Sequence, residues 1–268
     1  TFNYTVQAGD NSSDLDFVAT SSLAFNSGSI TDTAGNVATL TLATPGAANS
    51  LGANKALVID TTDPTAALTY STDGGGTYST TLPVKDADTL RIKAAFNEGI
   101  DDTAGATITI DNSILSSTAM TKTSTSEYYY DLNVPTGDVA TATVTIGAAK
   151  DATGNVISAA PTNNTFSVDN TAPIALSLSL NADTGALNSD NITNDATINV
   201  SGFESGASWE YSTNNGSSWS TGSGTSFEAP NGTTALSSIQ ARETDAAGNI
   251  SVIGVLGSSG DLVVQPLH

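Results

Sequence analysis

The sequence predicts an all-β protein, built as tandem β-sandwich domains in an extended array. Three observations carry that expectation. Apolar and polar residues alternate in short runs, turn-forming residues separate those runs at close intervals, and one acidic, glycine-containing segment occurs three times.

The alternation has a period of two, the spacing at which successive side chains take opposite faces of a strand. It occurs in Phe2-Asn3-Tyr4-Thr5-Val6, Leu90-Arg91-Ile92-Lys93-Ala94, Ala106-Thr107-Ile108-Thr109-Ile110 and Ala142-Thr143-Val144-Thr145-Ile146. It returns in Leu176-Ser177-Leu178-Ser179-Leu180 and Ile198-Asn199-Val200. Thr, Val and Ile are β-branched and suit a pleated, half-buried surface. Between the runs lie Ala8-Gly9-Asp10-Asn11, Asp73-Gly74-Gly75-Gly76 and Asn214-Asn215-Gly216, compositions that turn the chain. Helical periodicity is nearly absent.

The repeat sets the domain organisation. Asp32-Thr33-Ala34-Gly35-Asn36-Val37 recurs as Asp151-Ala152-Thr153-Gly154-Asn155-Val156 and as Asp245-Ala246-Ala247-Gly248-Asn249-Ile250. A second element follows the first two copies: Val58-Ile59-Asp60-Thr61-Thr62-Asp63-Pro64 and Ser167-Val168-Asp169-Asn170-Thr171-Ala172-Pro173. Leu262-Val263-Val264-Gln265-Pro266 is a degenerate echo, with Gln265 in place of the Asp. The Asp-x-x-Gly-Asn segment predicts a hairpin turn in which Gly takes positive φ. The second element predicts a last strand running into a linker, because Pro cannot donate to a ladder and holds its predecessor extended. Boundaries therefore fall near Pro64 and Pro173. Residues 1–64 read as the C-terminal half of a repeat, 65–172 as a complete domain and 173–268 as another. Half a sandwich cannot cover its inner face. Its missing strands are expected from another copy or a neighbouring molecule, the alternative being packing of the half-domain by itself.

Charge and composition exclude several functions. The 268 residues carry 27 Asp plus Glu against 7 Lys plus Arg, a net charge of −20. That field repels phosphate backbones and anionic membranes, so neither nucleic acid nor membrane insertion is expected. The same field attracts divalent cations, although a strongly acidic surface also serves plain solubility. With no cysteine, disulfides and thiolate metal sites are ruled out. The longest apolar runs, such as 250–256, are too short to span a bilayer. The chain starts at Thr1 and reads as an excised piece of something longer.

No catalytic constellation stands out, and the expectation is a non-enzymatic protein. The single histidine is His268, which leaves a hydrolytic triad without a base. Phosphate-binding glycine loops, zinc-protease motifs and EF-hand loops are missing. Ser71-x-Asp73-x-Gly75-x-Thr77-Tyr78 and Ser212-x-Asn214-x-Gly216-x-Ser218-Trp219 resemble the Asp-box turns of sialidase propellers. Those are structural hairpins, and this chain has only Arg91 and Arg242 to meet a substrate carboxylate. Glu127-Tyr128-Tyr129-Tyr130 sets Tyr128 and Tyr130 on one face and Tyr129 on the other, so an exposed aromatic platform for glycan is one alternative. The other reading of these rings puts Trp209 in a core and Tyr128 and Tyr130 over a sheet edge.

The motif Asp-x-x-Gly-Asn followed by Val-Asp-x-Thr-x-Pro resembles the bacterial immunoglobulin-like repeats of giant cell-surface adhesins, including those of the RTX type. Residues 83–90, 95–98 and 119–122 are similar to segments of one repeat type. Residues 182–185, 190–195 and 209–212 are similar to another. The resemblance spans nearly the whole chain. It implies immunoglobulin-like sandwiches in an extracellular stalk on the bacterial surface, with calcium stiffening the joints between neighbouring repeats of one polypeptide. The alternatives are a glycan- or partner-binding module and a filament subunit completed by strand donation.

Calcium needs six to eight oxygens, so carboxylates must converge. Asp60 and Asp63 sit in the first linker, with Asp32 in the hairpin turn before it. Asp169 sits in the second linker. Asp151, Asp169, Asp183 and Asp190 are expected to converge there, with Asp195 close by. The competing role for each Asp is an Asx-turn or strand cap.

Overall fold

The computed structural model describes residues 3–103 and 105–265. Phe2 of the expected first strand, Pro266 of the third linker-like segment and the terminal His268 lie outside them. The described structure is nearly all β and is divided among several sheets. Its one α-helix is a single turn, α1 (Leu51–Asn54), capped by the Ser50 hydroxyl accepting from the Ala53 amide at 3.1 Å. No helix of the described residues is long and apolar enough to cross a membrane.

Nine strands follow: β1 (Ala66–Ser71), β2 (Pro83–Val84), β3 (Thr89–Phe96), β4 (Thr107–Ile110), β5 (Leu115–Ala119), β6 (Thr121–Lys122), β7 (Glu127–Asn133), β8 (Val139–Gly147) and β9 (Thr165–Val168). They form two sheets, ordered β1-β3-β7-β6 and β2-β9-β8-β4-β5. Alternation decides what each sheet buries. In β3 the buried residues are Leu90, Ile92, Ala94 and Phe96, while Arg91, Lys93 and Ala95 face outward. Opposite them, Ile108 and Ile110 of β4 and Ala142, Val144 and Ile146 of β8 point inward. The two inner faces share one hydrophobic core, as in a β-sandwich, with Leu68, Tyr70, Phe166 and Val168 at its middle. Each fully buried Leu or Ile here contributes about 1.5–3 kcal/mol of transfer free energy.

Ten more strands follow: β10 (Ser177–Leu180), β11 (Ile192–Thr193), β12 (Thr197–Ser201), β13 (Ser208–Ser212), β14 (Ser220–Thr221), β15 (Ser226–Glu228), β16 (Gly232–Ala235), β17 (Gln240–Thr244), β18 (Gly254–Val255) and β19 (Asp261–Val264). Their sheets are β10-β12-β15, β11-β19-β16 and β14-β13-β17-β18. A second, separate core gathers Leu176, Ile198, Val200, Trp209, Phe227, Ile239 and Leu262. Trp209 packs among Phe203, Tyr211 and Phe227, at centroid distances of 5.6, 6.1 and 6.2 Å.

The two regions share a device that the repeated sequence foreshadows. Each ends in a short strand paired in parallel with an early one: β9 beside β2, with Val84 opposite Val168, and β19 beside β11, with Thr193 opposite Val264. The next amide donates back across the same pair, Asp169 to the Val84 carbonyl and Gln265 to the Thr193 carbonyl, both at 2.8 Å.

Residues 3–63 differ. The alternation at 2–6 does not form a strand over its described positions, and no strand is formed before Ala66 among the described residues. Among the described residues this region is held by the isolated bridges Ser12–Ile59 and Thr31–Val37 and by single backbone hydrogen bonds such as Leu15 to Leu57 and Leu42 to Thr20. Tyr4, Val18, Ile30 and Val37 are 68%, 94%, 55% and 64% exposed. Alternation becomes a strand only where a ladder and an opposing apolar face are present, and these side chains stay exposed among the described residues.

Candidate metal centre

The Asp-x-x-Gly-Asn segment makes the same turn three times. The Asp amide donates to the Asn carbonyl at 3.0 Å in each copy, across 32–36, 151–155 and 245–249. One carboxylate oxygen of the Asp accepts the Asn backbone amide at 2.9, 2.9 and 2.8 Å. The other accepts the Asn side-chain amide at 2.8, 2.7 and 2.8 Å. The Gly before each Asn has φ of +88°, +100° and +87°, which a side chain strains to adopt.

An amide NH2 has two hydrogens, and in the second and third copies the other one leaves the turn. Asn155 Nδ2 donates to the Asp60 carbonyl at 3.0 Å, and Asn249 Nδ2 to the Asp169 carbonyl at 2.8 Å. Each accepting residue sits at the same place in its linker, and each closes the same Asx-turn. Asp60 Oδ1 accepts from the Thr62 amide at 2.9 Å, and Asp169 Oδ1 from the Thr171 amide at 3.0 Å. The turn late in each core is thus fastened to the linker that precedes that core.

At the first of these contacts three carboxylates meet. One oxygen each from Asp60, Glu98 and Asp151 lies within 4.8 Å of the others. Glu98 arrives from the end of β3, where Asn97 pairs with Thr65 just past Pro64. The Asn97 side chain accepts the Thr65 amide at 2.7 Å, and the Asn97 amide donates to the Thr65 carbonyl at 3.1 Å. This clamp holds the β3 exit against the linker. Asp151 is 3% exposed.

The electrostatics follow from that crowding. Burial pushes the Glu98 carboxyl above its ordinary range, the charges of Asp151 and Asp60 push it further, and a hydrogen bond with Asn97 partly offsets them. Burial also pushes Asp151 up, but donors from Asn155, Thr153 and Gly154 outweigh it and hold Asp151 below the usual carboxylate range. The donor set is three hard oxygens with formal charge −3 and no histidine or thiolate. It fits calcium or magnesium and not a soft transition metal.

The remaining expected ligands are placed otherwise. Asp32 is exposed, and its hydrogen bonds stay within its own turn. Asp63 accepts the Ser158 hydroxyl at 2.6 Å, outside the cluster. Asp183 accepts the Asn191 amide at 2.9 Å and Asp190 the Ile192 amide at 3.1 Å, bracing one loop. Asp195 accepts from Asn181 at 2.8 Å and Thr197 at 3.0 Å. The expected set of Asp151, Asp169, Asp183 and Asp190 does not come together, and Asp151 meets Asp60 and Glu98 instead. The turn lies at the entry end of its core, whereas β9 carries the chain from there to Asp169 at the other end. Glu98 joins the cluster although the repeated motif does not point to it. Its signal is the pair Phe96-Asn97-Glu98 and Phe203-Glu204, acids placed just beyond matching strands β3 and β12.

Three of the outward-facing aromatics lie against cations. The Arg91 guanidinium lies 4.1 Å from the Tyr129 ring centre, Lys93 Nζ 4.6 Å from Tyr78, and the Arg242 guanidinium 4.2 Å from Trp219. Tyr78 and Trp219 follow the two Asp-box-like segments, which share one geometry. The Gly75 and Gly216 amides donate to the Ser71 and Ser212 hydroxyls at 3.0 and 2.9 Å. Tyr128 is buried at an edge-on contact with Phe96.

No protein-family description matches the chain, and no curated protein matches it.

Proposed function

We propose that this chain is a non-enzymatic structural segment of a bacterial cell-surface adhesin or extracellular fibre. In this reading, immunoglobulin-like sandwiches stand in tandem, and calcium stiffens the joint at Asp60, Glu98 and Asp151. The observation that carries it is the duplicated fastening of a late turn to the preceding linker, Asn155 to Asp60 and Asn249 to Asp169. A repeated joint with defined hydrogen bonds suits a chain that must transmit reach and direction. Two separate cores on either side of residues 169–175 support the division into units. The carboxylate cluster supports the ion, because three converging negative charges at a joint are costly without a cation and stabilising with one.

The experiment is thermal unfolding with small-angle scattering on the whole chain, in calcium and then in chelator. A calcium-stiffened segment melts higher and scatters as a longer rod with the ion. Identical melting and scattering in both would remove calcium from the reading.

The exposure of Tyr4, Val18, Ile30 and Val37 supports a cover made of strands equivalent to β1–β7, from the same parent polypeptide or from another copy. Self-association of the chain that disappears when Val18 and Ile30 are replaced by Ser supports the second source. A monomer at all concentrations leaves the first.

A further inference from the structure

We infer that Lys85 is a tethered cation that locks the second joint, so that this joint, unlike the first, holds its geometry without a metal ion. The inference rests on the stalk reading above and concerns how its two joints differ.

Both joints share the Asn side-chain contact and the Asx-turn of the linker. At the first, the acids Asp60, Glu98 and Asp151 converge. Among the described residues, none of the hydrogen bonds reaching the 151–155 turn or the Asp60 carbonyl comes from a lysine or arginine. At the second, the Lys85 ammonium reaches across from the first core and donates to the Gly248 carbonyl, inside the 245–249 turn. A Cβ built on Gly248 would lie 3.3 Å from Nζ and 3.7 Å from Cε, so the lysine lies directly over that glycine.

The base of the side chain is fixed. The Lys85 amide donates to Asp88 Oδ2 at 3.1 Å, and the neighbouring Val84 carbonyl accepts the linker amide of Asp169 at 2.8 Å. The Asp86 amide donates to the side chain of Asn170, the next linker residue. Lys85 enters none of the ion pairs among the described residues, whereas Arg91, Lys93, Lys122, Lys150 and Arg242 each hold a carboxylate. Its charge is directed instead at a turn that carries the Asp245 carboxylate and is joined to the Asp169 carbonyl. An ammonium on a carbonyl-rich turn between two acidic segments supplies the attraction that a bound ion supplies elsewhere, with the difference that it cannot be chelated away.

The chain has no cysteine, so pairs of introduced cysteines label cleanly. Exposed Ser29→Cys with Ser117→Cys spans the first joint, and Ser117→Cys with Ser217→Cys spans the second. Pulsed electron-spin distances are read in calcium and in chelator. The expected result is a narrow second-joint distance in both conditions, lost in both on Lys85→Met and restored by Lys85→Arg. Lys85→Gln serves as a second neutral variant, and an unchanged melting transition shows that the cores remain folded. A second-joint distance that stays narrow in both neutral variants overturns the inference, as does one that broadens in the parent chain on chelation. Failure of the calcium reading is distinct: the first-joint distance is then insensitive to chelator, whatever Lys85 does.

Discussion

Asn155 and Asp60 lie ninety-five positions apart, and the side-chain amide of one meets the backbone carbonyl of the other at 3.0 Å. The same amide also holds Asp151, so one side chain joins a hairpin turn, its carboxylate and a linker. Asn249 does the same for Asp245 and Asp169. Replacing Asn249 by Ala removes both bonds, and replacing Asn155 removes them together with its bond to the Thr153 hydroxyl at 2.9 Å. The expected cost is about 1–2 kcal/mol, by the usual worth of such hydrogen bonds. Denaturant unfolding measures it, and Asn36→Ala, whose amide serves only its own turn, is expected to cost less.

Gly154 sits at φ +100° in that turn, with open space where a Cβ would go. A clash is therefore excluded, and only backbone strain separates Gly from Ala. Gly154→Ala is expected to destabilise by roughly 1–2 kcal/mol, within the range for residues forced into sparsely populated backbone regions. A neutral result in thermal or chemical unfolding would show that the turn relaxes to another type.

Glu98 offers a pH-dependent test. Its folded pKa lies above the unfolded value, so the ion-free protein gains from protonating it. That gain is present below the unfolded pKa and is lost as pH rises through the folded one. Glu98→Gln is therefore expected to raise the ion-free melting temperature at neutral pH and to weaken calcium binding. In the parent chain, calcium affinity should fall as pH drops through the raised Glu98 value, because the proton and the ion compete. Asp151 runs the other way: its contribution is present above the unfolded value and disappears as pH falls through its lowered folded value. Calorimetric titration from neutral to mildly acid pH tests the affinity. Equal affinities for Glu98→Gln and parent would exclude Glu98 from the site.

Gly222 tests the second core. A Cβ there would fall 2.2 Å from the Trp209 indole, closer than any relaxation of a flexible tip relieves. Gly222→Ala is expected to cost about 1–3 kcal/mol, the range for overpacking. Near-ultraviolet circular dichroism reads the displaced indole, and Leu68→Ala, in the other core, should leave that signal intact while costing about 2–5 kcal/mol.

By itself the sequence determined the period-two alternation, and with it the buried faces of β3, β4 and β8, because a strand's side chains have only two directions to take. It also determined the repeated turn: Asp, Gly and Asn at those positions satisfy one another locally, and no distant residue is needed. It did not foretell that Phe2 to Val6 would leave 3–6 without a strand, because alternation is a potential that only a partner realises. Nor did it reveal which linker each turn would meet. Asp151 was expected beside Asp169 and lies beside Asp60. The distance from turn to linker depends on which end of the sandwich the last strand leaves from, a property of sheet order and not of spacing along the chain. Glu98 entered the cluster for the same reason, carried there by the exit of β3 and the clamp of Asn97 on Thr65.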